Sequence, residues 1–157
     1  MIIIRNAEEK DINQIIVLLK EVLELHAKIR PDIFISGTTK YNYDDLKNIL
    51  NDDKRHSYVA ADENDNILGY ALCVLKEQPF SNNMVQFKSM YIDDLCVDEK
   101  TRGQNIGTLL FEYVKKEAIK LGCYEITLNV WEGNNAKAFY SKMGMVPKST
   151  TMELILK

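Results

Sequence analysis

Apolar residues recur along this chain at two kinds of spacing, and the spacing predicts which segments are helices and which are strands. Apolar residues at every third or fourth position predict helices at about 8–28, 106–121 and 136–143, and a shorter helix is predicted near 43–51. Alternating or almost wholly apolar segments predict strands at 2–5, 57–61, 67–75, 89–97, 125–130 and 151–156. This order of elements predicts a single mixed α/β domain over residues 1–157.

Capping residues predict where several of these helices begin and end. Asn6 is the expected N-cap of the first helix, with the side chain of Glu9 reaching back to it, and Pro31 ends the same helix. Gly122 and Gly144 follow the last apolar positions of two later helices, as C-terminal capping glycines do. The sequence has no internal repeat, low-complexity tract or linker, so a second domain is not expected.

The composition argues against several classes of function. A net charge of -3 and a sequence pI ≈ 5.5 disfavour nucleic acid as the main ligand, whereas a mildly acidic surface suits a cationic amine. No apolar run approaches the ~20 residues that span a bilayer, so no membrane association is expected. The N-terminus lacks the pattern of a signal peptide, and a cytoplasmic location is therefore expected.

Cysteine and histidine usage predicts no metal site. Cys73, Cys96 and Cys123 are far apart and flanked by apolar residues, which is typical of buried thiols in a reducing compartment. The two histidines, His26 and His56, complete no zinc-binding spacing with them.

A glycine-bearing turn at 101–107 joins a predicted strand to a predicted amphipathic helix. A helix N-terminus presents unpaired backbone N–H groups and a partial positive charge, and glycine lets a ligand approach the backbone closely. The turn therefore predicts an anion-binding site. A nucleotide-triphosphate loop is excluded because no Lys stands at 105–108, and a dinucleotide fingerprint because the turn has only Gly103 and Gly107.

The same turn resembles the R/Q-x-x-G-x-G/A signature of the GNAT N-acetyltransferase superfamily, with Arg102 first and Gly107 last. Asn105 replaces the middle glycine, and asparagine tolerates a left-handed backbone better than most residues. A second block, 128–145, resembles the superfamily's strand, asparagine-containing loop and A-x-x-(F/L)-Y-x-K-x-G-(F/M) helix. The order of elements agrees over essentially the whole chain, although the loop before the last helix is one residue shorter than is common.

The resemblance implies the GNAT fold, in which a mostly antiparallel central sheet has one parallel, splayed strand pair and helices on both faces. It implies transfer of an acetyl group from acetyl-CoA, the co-substrate, to a primary amine by direct reaction in a ternary complex. The acceptor stays open between a small amine and a protein N-terminus or lysine. The alternative is a non-catalytic acyl-CoA-binding sensor on the same fold. A homodimer is also expected, because many relatives pair through their terminal strands.

Acetyl transfer needs a group that takes a proton from the amine and a group that gives one to the departing sulfur. The resemblance implies that Tyr140 is the donor. It also implies that Asp93 is the base or the amine anchor, with Asp94 as the second choice. Simple alternation along the strand would send these two carboxylates to opposite faces of the sheet, unless a bulge intervenes.

The resemblance further implies a cofactor site built mainly from backbone groups. Leu95 and Val97 would offer strand-like hydrogen bonds to the pantetheine arm, and Asn134 or Asn135 would bond the same arm. The residues expected around the pyrophosphate are Arg102, Gly103, Gln104, Asn105, Gly107 and Thr108.

The segment 25–34 resembles an H-A-x-x-R-P-D-x-F stretch of bacterial relatives and lies where the family builds its acceptor site. His26 continues the apolar helix face, so a partly buried histidine at the helix end is expected rather than a catalytic one. Phe34, Tyr41 and Tyr43 are candidate lining residues of the acceptor pocket, with ordinary loop packing as the alternative.

Overall fold

The computed structural model describes residues 1–78, 81–101 and 103–157. The strands are β1 (Ile3–Asn6), β2 (Arg55–Ala61), β3 (Ile67–Glu77), β4 (Lys88–Val97) and β5 (Glu125–Thr127), and the helices are α1 (Ile12–Ile29), α2 (Tyr43–Leu50), α3 (Ile106–Lys120) and α4 (Ala136–Lys142). Short 3-10 turns at Glu9–Asp11 and Glu99–Thr101 precede α1 and follow β4. No helix in these ranges is long and apolar enough to cross a membrane.

The five strands form one sheet in the order β1-β2-β3-β4-β5. Strands β1 to β4 pair antiparallel, whereas β4 and β5 pair in parallel. The parallel pairing covers only Ser89–Tyr91 with Glu125–Thr127, and β4 then continues to Val97 without β5 beside it. The sheet is therefore mostly antiparallel and splits open along the second half of β4, as the sequence predicted.

Helices cover both faces of the sheet because α1, α2 and α3 each carry an apolar stripe. Against one face α1 and α2 pack their buried side chains, which are Ile12, Ile15, Leu18, Leu19, Leu46 and Ile49, onto Val59, Tyr70 and Leu72. Against the other face α3 packs Ile106, Leu110, Phe111, Val114 and Ala118 onto Tyr58, Ala71 and Met90. The predicted arrangement of helices on both faces is confirmed.

The first helix begins later than its predicted cap. Asn6 is the last residue of β1 and pairs with Tyr58, so it does not cap a helix as the sequence predicted. The turn into the helix is instead held by the buried carboxylate of Asp11, which accepts hydrogen bonds from the Glu8 N–H at 2.8 Å and from the Arg5 guanidinium at 2.8 and 3.0 Å. Asn6 therefore pairs with β2 in the sheet instead of capping the first helix.

The C-terminal segment, residues 146–157, lies outside the sheet, and the predicted strand at 151–156 does not form. Its apolar side chains are exposed, with Leu154 82% and Leu156 91% accessible to solvent. A strand forms only where a neighbour satisfies its backbone groups. Within the described residues, β5 is too short to provide that neighbour, because it ends at Thr127 rather than at the predicted residue 130.

Candidate functional site

The opening beside β4 continues into a cleft of about 2880 Å³. The cleft runs between the second half of β4, the start of α3, the 125–136 segment and α4, and it reaches the end of α1. Single-ligand pockets usually enclose about 300–1,000 Å³, so this cleft has room for an extended ligand beside a second molecule.

A β-bulge in β4 changes the expected placement of the two acidic residues. Leu72 of β3 lies opposite Asp94 and Cys73 lies opposite Ile92, so Asp93 is an extra residue with no partner on β3. The bulge interrupts the alternation of side chains between the two faces. As a result Asp93 and Asp94 both make contacts on the face covered by α1 and α2, and the prediction from simple alternation is wrong.

Asp93 is surrounded by cations and a hydroxyl group. The Tyr41 hydroxyl donates a hydrogen bond of 2.6 Å to Oδ2, and the Lys40 ammonium donates one of 3.1 Å to Oδ1. The Arg55 guanidinium lies 3.6 Å from Oδ2, and the Asp93 side chain is 15% exposed. Both carboxylate oxygens are thus engaged by positive or hydrogen-bonding groups, as suits an ionised anchor.

Asp94 has a different environment, and its proton affinity is higher than usual. Its Oδ2 accepts a hydrogen bond of 3.2 Å from the hydroxyl of Tyr70, a buried residue of β3. Burial raises the pKa of Asp94, and the charge of Lys40 and the Tyr70 hydrogen bond oppose that effect, leaving the pKa at about 6. A carboxyl group with this pKa can accept a proton near neutral pH.

Tyr140 is placed by aromatic packing on the other side of the cleft. Its ring lies 5.2 Å from that of Phe139 in an edge-on arrangement and 6.4 Å from that of Phe111 of α3. Burial, and then the negative charge of Asp94, raise the pKa of the Tyr140 hydroxyl above its ordinary value. The hydroxyl therefore stays protonated at neutral pH and is able to donate a proton.

The open edge of β4 passes between these two sides. Leu95 pairs with Ala71 and Val97 with Gly69 on the β3 side. Among the described residues, β5 pairs with nothing on β4 beyond Tyr91, so no strand lies beside β4 on that edge at Leu95 and Val97. An extended ligand could form strand-like hydrogen bonds there.

The turn before α3 adopts the geometry that an anion site requires. Asn105 has the left-handed backbone (φ 60°, ψ 24°) and stands at the N-cap position, so it takes up the conformation expected of the glycine it replaces. Gly103 and Gln104 are exposed beside it, and Thr108 is partly exposed in the first turn of α3. Arg102 lies outside the described residues.

Gly107 serves helix packing as well as the turn. A Cβ at this position would lie 3.3 Å from Cζ of Phe139 and 3.6 Å from a methyl group of Val97. The absence of a side chain therefore leaves space for the Phe139 ring of α4 against the start of α3.

The two candidate asparagines before α4 have different surroundings. The Oδ1 atom of Asn134 accepts a hydrogen bond of 2.9 Å from the Ala136 N–H and so holds the start of the helix. Asn135 occupies the N-cap position without a side-chain cap hydrogen bond. The amide of Asn135 is therefore the better placed of the two for a ligand, while the Asn134 amide nitrogen is also available as a donor.

An aromatic wall closes the end of the cleft near α1. The His26 and Phe34 rings lie 5.2 Å apart, and Phe34 meets Trp131 edge-on at 5.4 Å. The Arg30 guanidinium lies 5.8 Å from the centre of the Trp131 ring. Burial, and then the charge of Lys40, lower the pKa of His26, so that histidine is neutral at pH 7.

The predicted lining residues divide between the site and the surface. Phe34 and Tyr41 belong to the site, whereas the Tyr43 hydroxyl lies 3.4 Å from Glu9 of the turn before α1. Sequence reasoning missed Lys40 and Arg55, which flank Asp93. Neither has a local signal, because a loop and a distant strand bring them to β4.

Comparison with known proteins gives one consistent family. The acetyltransferase (GNAT) family pattern matches residues 19–145. Thialysine N-epsilon-acetyltransferase of Bos taurus is 26% identical over 153 residues, covering 91% of this chain and 83% of that protein. Glucosamine 6-phosphate N-acetyltransferase of Arabidopsis thaliana is 34% identical over 79 residues, so the match spans only 50% of this chain and 50% of that protein.

Solved structures share the fold over the whole chain. A crystal structure of a mutant of the BH1408 protein from Bacillus halodurans is 37% identical, with a TM-score of 0.95 and 99% of both chains covered. The crystal structure of glucosamine-6-phosphate N-acetyltransferase from Arabidopsis thaliana is 23% identical with a TM-score of 0.69, covering 100% of this chain and 99% of that one. The expected fold is thus confirmed.

Proposed function

Because the chain belongs to the acetyltransferase (GNAT) family, a family of acetyl-transferring enzymes, we propose that it moves an acetyl group from acetyl-coenzyme A to a primary amine. The observation that carries the proposal is a matched pair of groups in one cleft. Asp94 has a pKa of about 6, and the Tyr140 hydroxyl has a pKa above its ordinary value. One group can accept a proton near neutral pH, and the other keeps its proton until a base such as the departing thiolate takes it.

The described residues fit acetyl-CoA along the open edge of β4. Leu95 and Val97 face the space where β5 is absent and would bind the pantetheine arm, with Asn135 or Asn134 on the opposite side. Gly103, Gln104, Asn105, Gly107 and Thr108 form the exposed turn at the N-terminus of α3, which favours the negative charge of a pyrophosphate. The sequence motif gives Arg102 the same role.

The chemistry divides between the two sides of the cleft. Bound acetyl-CoA supplies a thioester whose carbonyl carbon is attacked by the amine. A free alkylamine has a pKa near ~10, so Asp94 accepts a proton from the amine as it reacts, while Asp93 anchors its positive charge. As the carbon–sulfur bond breaks, Tyr140 gives its hydroxyl proton to the departing sulfur and takes up the second proton of the attacking nitrogen, which restores the hydroxyl. Direct transfer requires only that the reactants are held together, because proximity supplies a large part of the rate.

We propose a small amine as the acceptor. Two named relatives act on small amines, glucosamine 6-phosphate and thialysine. The acceptor end of the cleft is lined by the His26, Phe34 and Trp131 rings and carries Asp93 and Asp94, with Lys40 and Arg55 paired to Asp93, and this mixed polar and aromatic wall suits a compact polar amine. A screen of amino sugars, aminoglycosides, amino acids and peptides for thiol release tests this choice. Release with peptides alone would favour a protein acceptor.

Substitution of Tyr140 tests the transfer itself. Tyr140→Phe removes the proton donor but keeps the ring that packs on Phe139, so turnover should fall by about 10²-fold or more with acetyl-CoA affinity unchanged. Calorimetry measures the affinity, and thiol release with the best acceptor measures turnover. Tyr113→Phe, a tyrosine of α3 that packs on Tyr58, is the matched control.

Two results would contradict the proposal. Equal turnover in Tyr140→Phe and wild type would remove the donor role. Micromolar acetyl-CoA binding without turnover on any amine or peptide would favour the non-catalytic sensor.

We also propose that the chain forms a homodimer through its C-terminal segment. Met152, Leu154 and Leu156 recur at every second position and are 84%, 82% and 91% exposed, which is the pattern of a strand that lacks its sheet. A carboxylate oxygen of Glu153 lies 2.7 Å from the Arg30 guanidinium, so the segment passes along the cleft of its own chain as far as Glu153. The residues that follow Glu153 do not line that cleft. In a symmetric dimer the same surface of both copies meets, so the C-terminal segment of each copy would serve as the neighbouring strand of the other.

A further inference from the structure

Lys40 lies on the loop between α1 and α2 and reaches across to the bulge of β4. Its ammonium donates hydrogen bonds of 3.1 Å to Oδ1 of Asp93 and 3.4 Å to the Asp93 backbone carbonyl. The side chain is 43% exposed and lines the cleft. Its two hydrogen bonds to Asp93 therefore hold the Lys40 ammonium at the acceptor end of the cleft.

The other groups around Asp93 make that placement specific. Tyr41 and Arg55 engage Oδ2, which leaves Oδ1 to Lys40 alone among the described residues. Because Asp93 is the bulged residue, its carboxylate lies beside that of Asp94 on the same face of the sheet. An ammonium held at Oδ1 of Asp93 is consequently close enough to interact with both carboxylates.

We propose that Lys40 is a positioning residue of the acceptor site, whose ammonium is held by Asp93 and keeps the neighbouring Asp94 carboxylate in its ionised form. This inference takes the catalytic role of Asp94 from the proposed function, but the effect of Lys40 on the charge of Asp94 stands apart from it. Nothing in the sequence pattern marks Lys40, since its role depends on the bulge and on the loop that carries it.

The balance of charges shows why a cation is needed. Burial raises the pKa of Asp94, and the charge of Lys40 is the largest effect that opposes it. Burial alone would lower the pKa of Lys40, but Asp93 and Asp94 outweigh it, so Lys40 remains charged. The titratable and charged groups that interact with Asp94 are Lys40 from the loop, Tyr70 from β3, Asp93 from β4 and Tyr140 from α4. Those that interact with Asp93 or Lys40 are Tyr41 from the loop, His26 from α1, Arg55 from β2 and Cys73 from β3.

A purely structural role makes a different prediction. If Lys40 only fastened the loop to β4, its loss would loosen the loop and lower stability without changing the proton affinity of Asp94. Lys40→Met removes the charge and keeps an apolar stem, whereas Lys40→Arg keeps a charge that can reach Asp93. Lys47→Met is the matched control, because Lys47 is an exposed lysine paired with Glu9 at 3.3 Å outside the cleft.

The experiment is a titration of the aspartate side-chain carboxyl carbons by nuclear magnetic resonance, with the Asp94 signal assigned from Asp94→Asn. An opposite charge nearby typically lowers a carboxyl pKa by about 1–3 units, and the partial exposure of Lys40 favours the lower end. The Asp94 midpoint should therefore rise by about 1 unit in Lys40→Met, return towards wild type in Lys40→Arg, and stay unchanged in Lys47→Met. A midpoint in Lys40→Met equal to that of the wild type would overturn the inference.

Kinetics separates this inference from the proposed function. If Asp94 is the base, the acidic limb of the kcat/KM profile should move up in Lys40→Met by the same amount as the carboxyl midpoint. A midpoint that moves while the acidic limb stays in place would support the role of Lys40 and remove Asp94 from the reaction. The role of Lys40 and the role of Asp94 as the base can therefore be rejected independently of each other.

Discussion

Asp93 and Asp94 are adjacent in the sequence and differ in the number of cations that each meets. Lys40 and Arg55 both lie within ion-pair distance of Asp93, whereas the hydrogen-bond donor to the Asp94 side chain is the neutral hydroxyl of Tyr70. Opposite charges nearby favour the charged form of a carboxyl group, whereas burial with few such charges favours the form that has taken up a proton. The structure therefore favours Asp94 as the base and Asp93 as the anchor, while the sequence motif favoured Asp93 for either role.

Asp94→Asn should remove the acidic limb of the pH profile. The pKa of Asp94 is raised to about 6, so in the wild type kcat/KM should fall as the pH drops through about 6 and Asp94 takes up a proton. Asparagine cannot titrate, so the variant should have a rate lower by about 10²-fold and no limb in this range. Steady-state kinetics between pH 5 and 8 with a single amine acceptor measures both effects.

Asp93→Asn is the comparison that assigns the two roles. As an anchor, Asp93 should affect mainly KM for the amine, and its variant should keep the acidic limb. If Asp93→Asn loses the acidic limb of the pH profile and Asp94→Asn keeps it, then Asp93 is the base and Asp94 is the anchor.

At the scale of elements, the long periodic segments were predictable and the pairing irregularities were not. The apolar stripes of α1 and α3 predicted those helices because each helix covers one face of the sheet. The bulge at Asp93 arises from the register between β3 and β4, which no local pattern in β4 records. Lys40 and Arg55 join the site through tertiary contacts, so their roles were also invisible in the sequence.

Gly107 shows how a motif residue can carry a packing role that the motif does not reveal. A Cβ at this position would lie 3.3 Å from the Phe139 ring, so a branched side chain here requires that ring to move. Gly107→Val should therefore displace α4 and destabilise the fold by about 1–3 kcal/mol, as overpacking does. Thermal unfolding measures the loss as a lower Tm.

The control for this variant is Leu109→Val on the same helix, where the wild-type side chain is 41% exposed. Its Tm should stay close to that of the wild type. Equal Tm values for Gly107→Val and Leu109→Val would show that α3 and α4 do not pack closely at Gly107. Because Gly107→Val disturbs packing, loss of acetyl-CoA binding in that variant would not by itself locate the pyrophosphate.

At the scale of the whole molecule, the C-terminal segment is the part of a single chain whose apolar side chains remain exposed and whose backbone has no neighbouring strand. Exposed apolar side chains in a period-two pattern favour association with another strand. Standard protein interfaces bury about 800 Å² on each partner, and reciprocal placement of two such segments would contribute twice to one interface. The sequence pattern predicted a strand in this segment, which the single chain does not form, and a pattern does not show whether another chain provides the neighbour.

Leu154→Lys should weaken the proposed dimer, because it places a charge in the apolar stripe of the segment. Ile119→Lys is the matched control, since Ile119 of α3 is an exposed apolar residue, 68% accessible, outside the segment. Sedimentation equilibrium at micromolar concentration should give a wild-type species of twice the 18.1 kDa chain mass, a control of the same mass and a lighter Leu154→Lys species. A wild-type protein that sediments as a single 18.1 kDa chain would remove the dimer.

The strand order of the sheet has a consequence for how the chain folds. Strands β2, β3 and β4 are joined by short connections at 62–66 and 78–87, so these three strands can assemble one after another. The connection from β1 to β2 contains α1 and α2, and the connection from β4 to β5 contains α3; closing a longer loop costs more chain entropy. The cleft lies at the junction of β4 and β5, so we expect the ligand-binding part of the sheet to be joined after β2, β3 and β4 have paired.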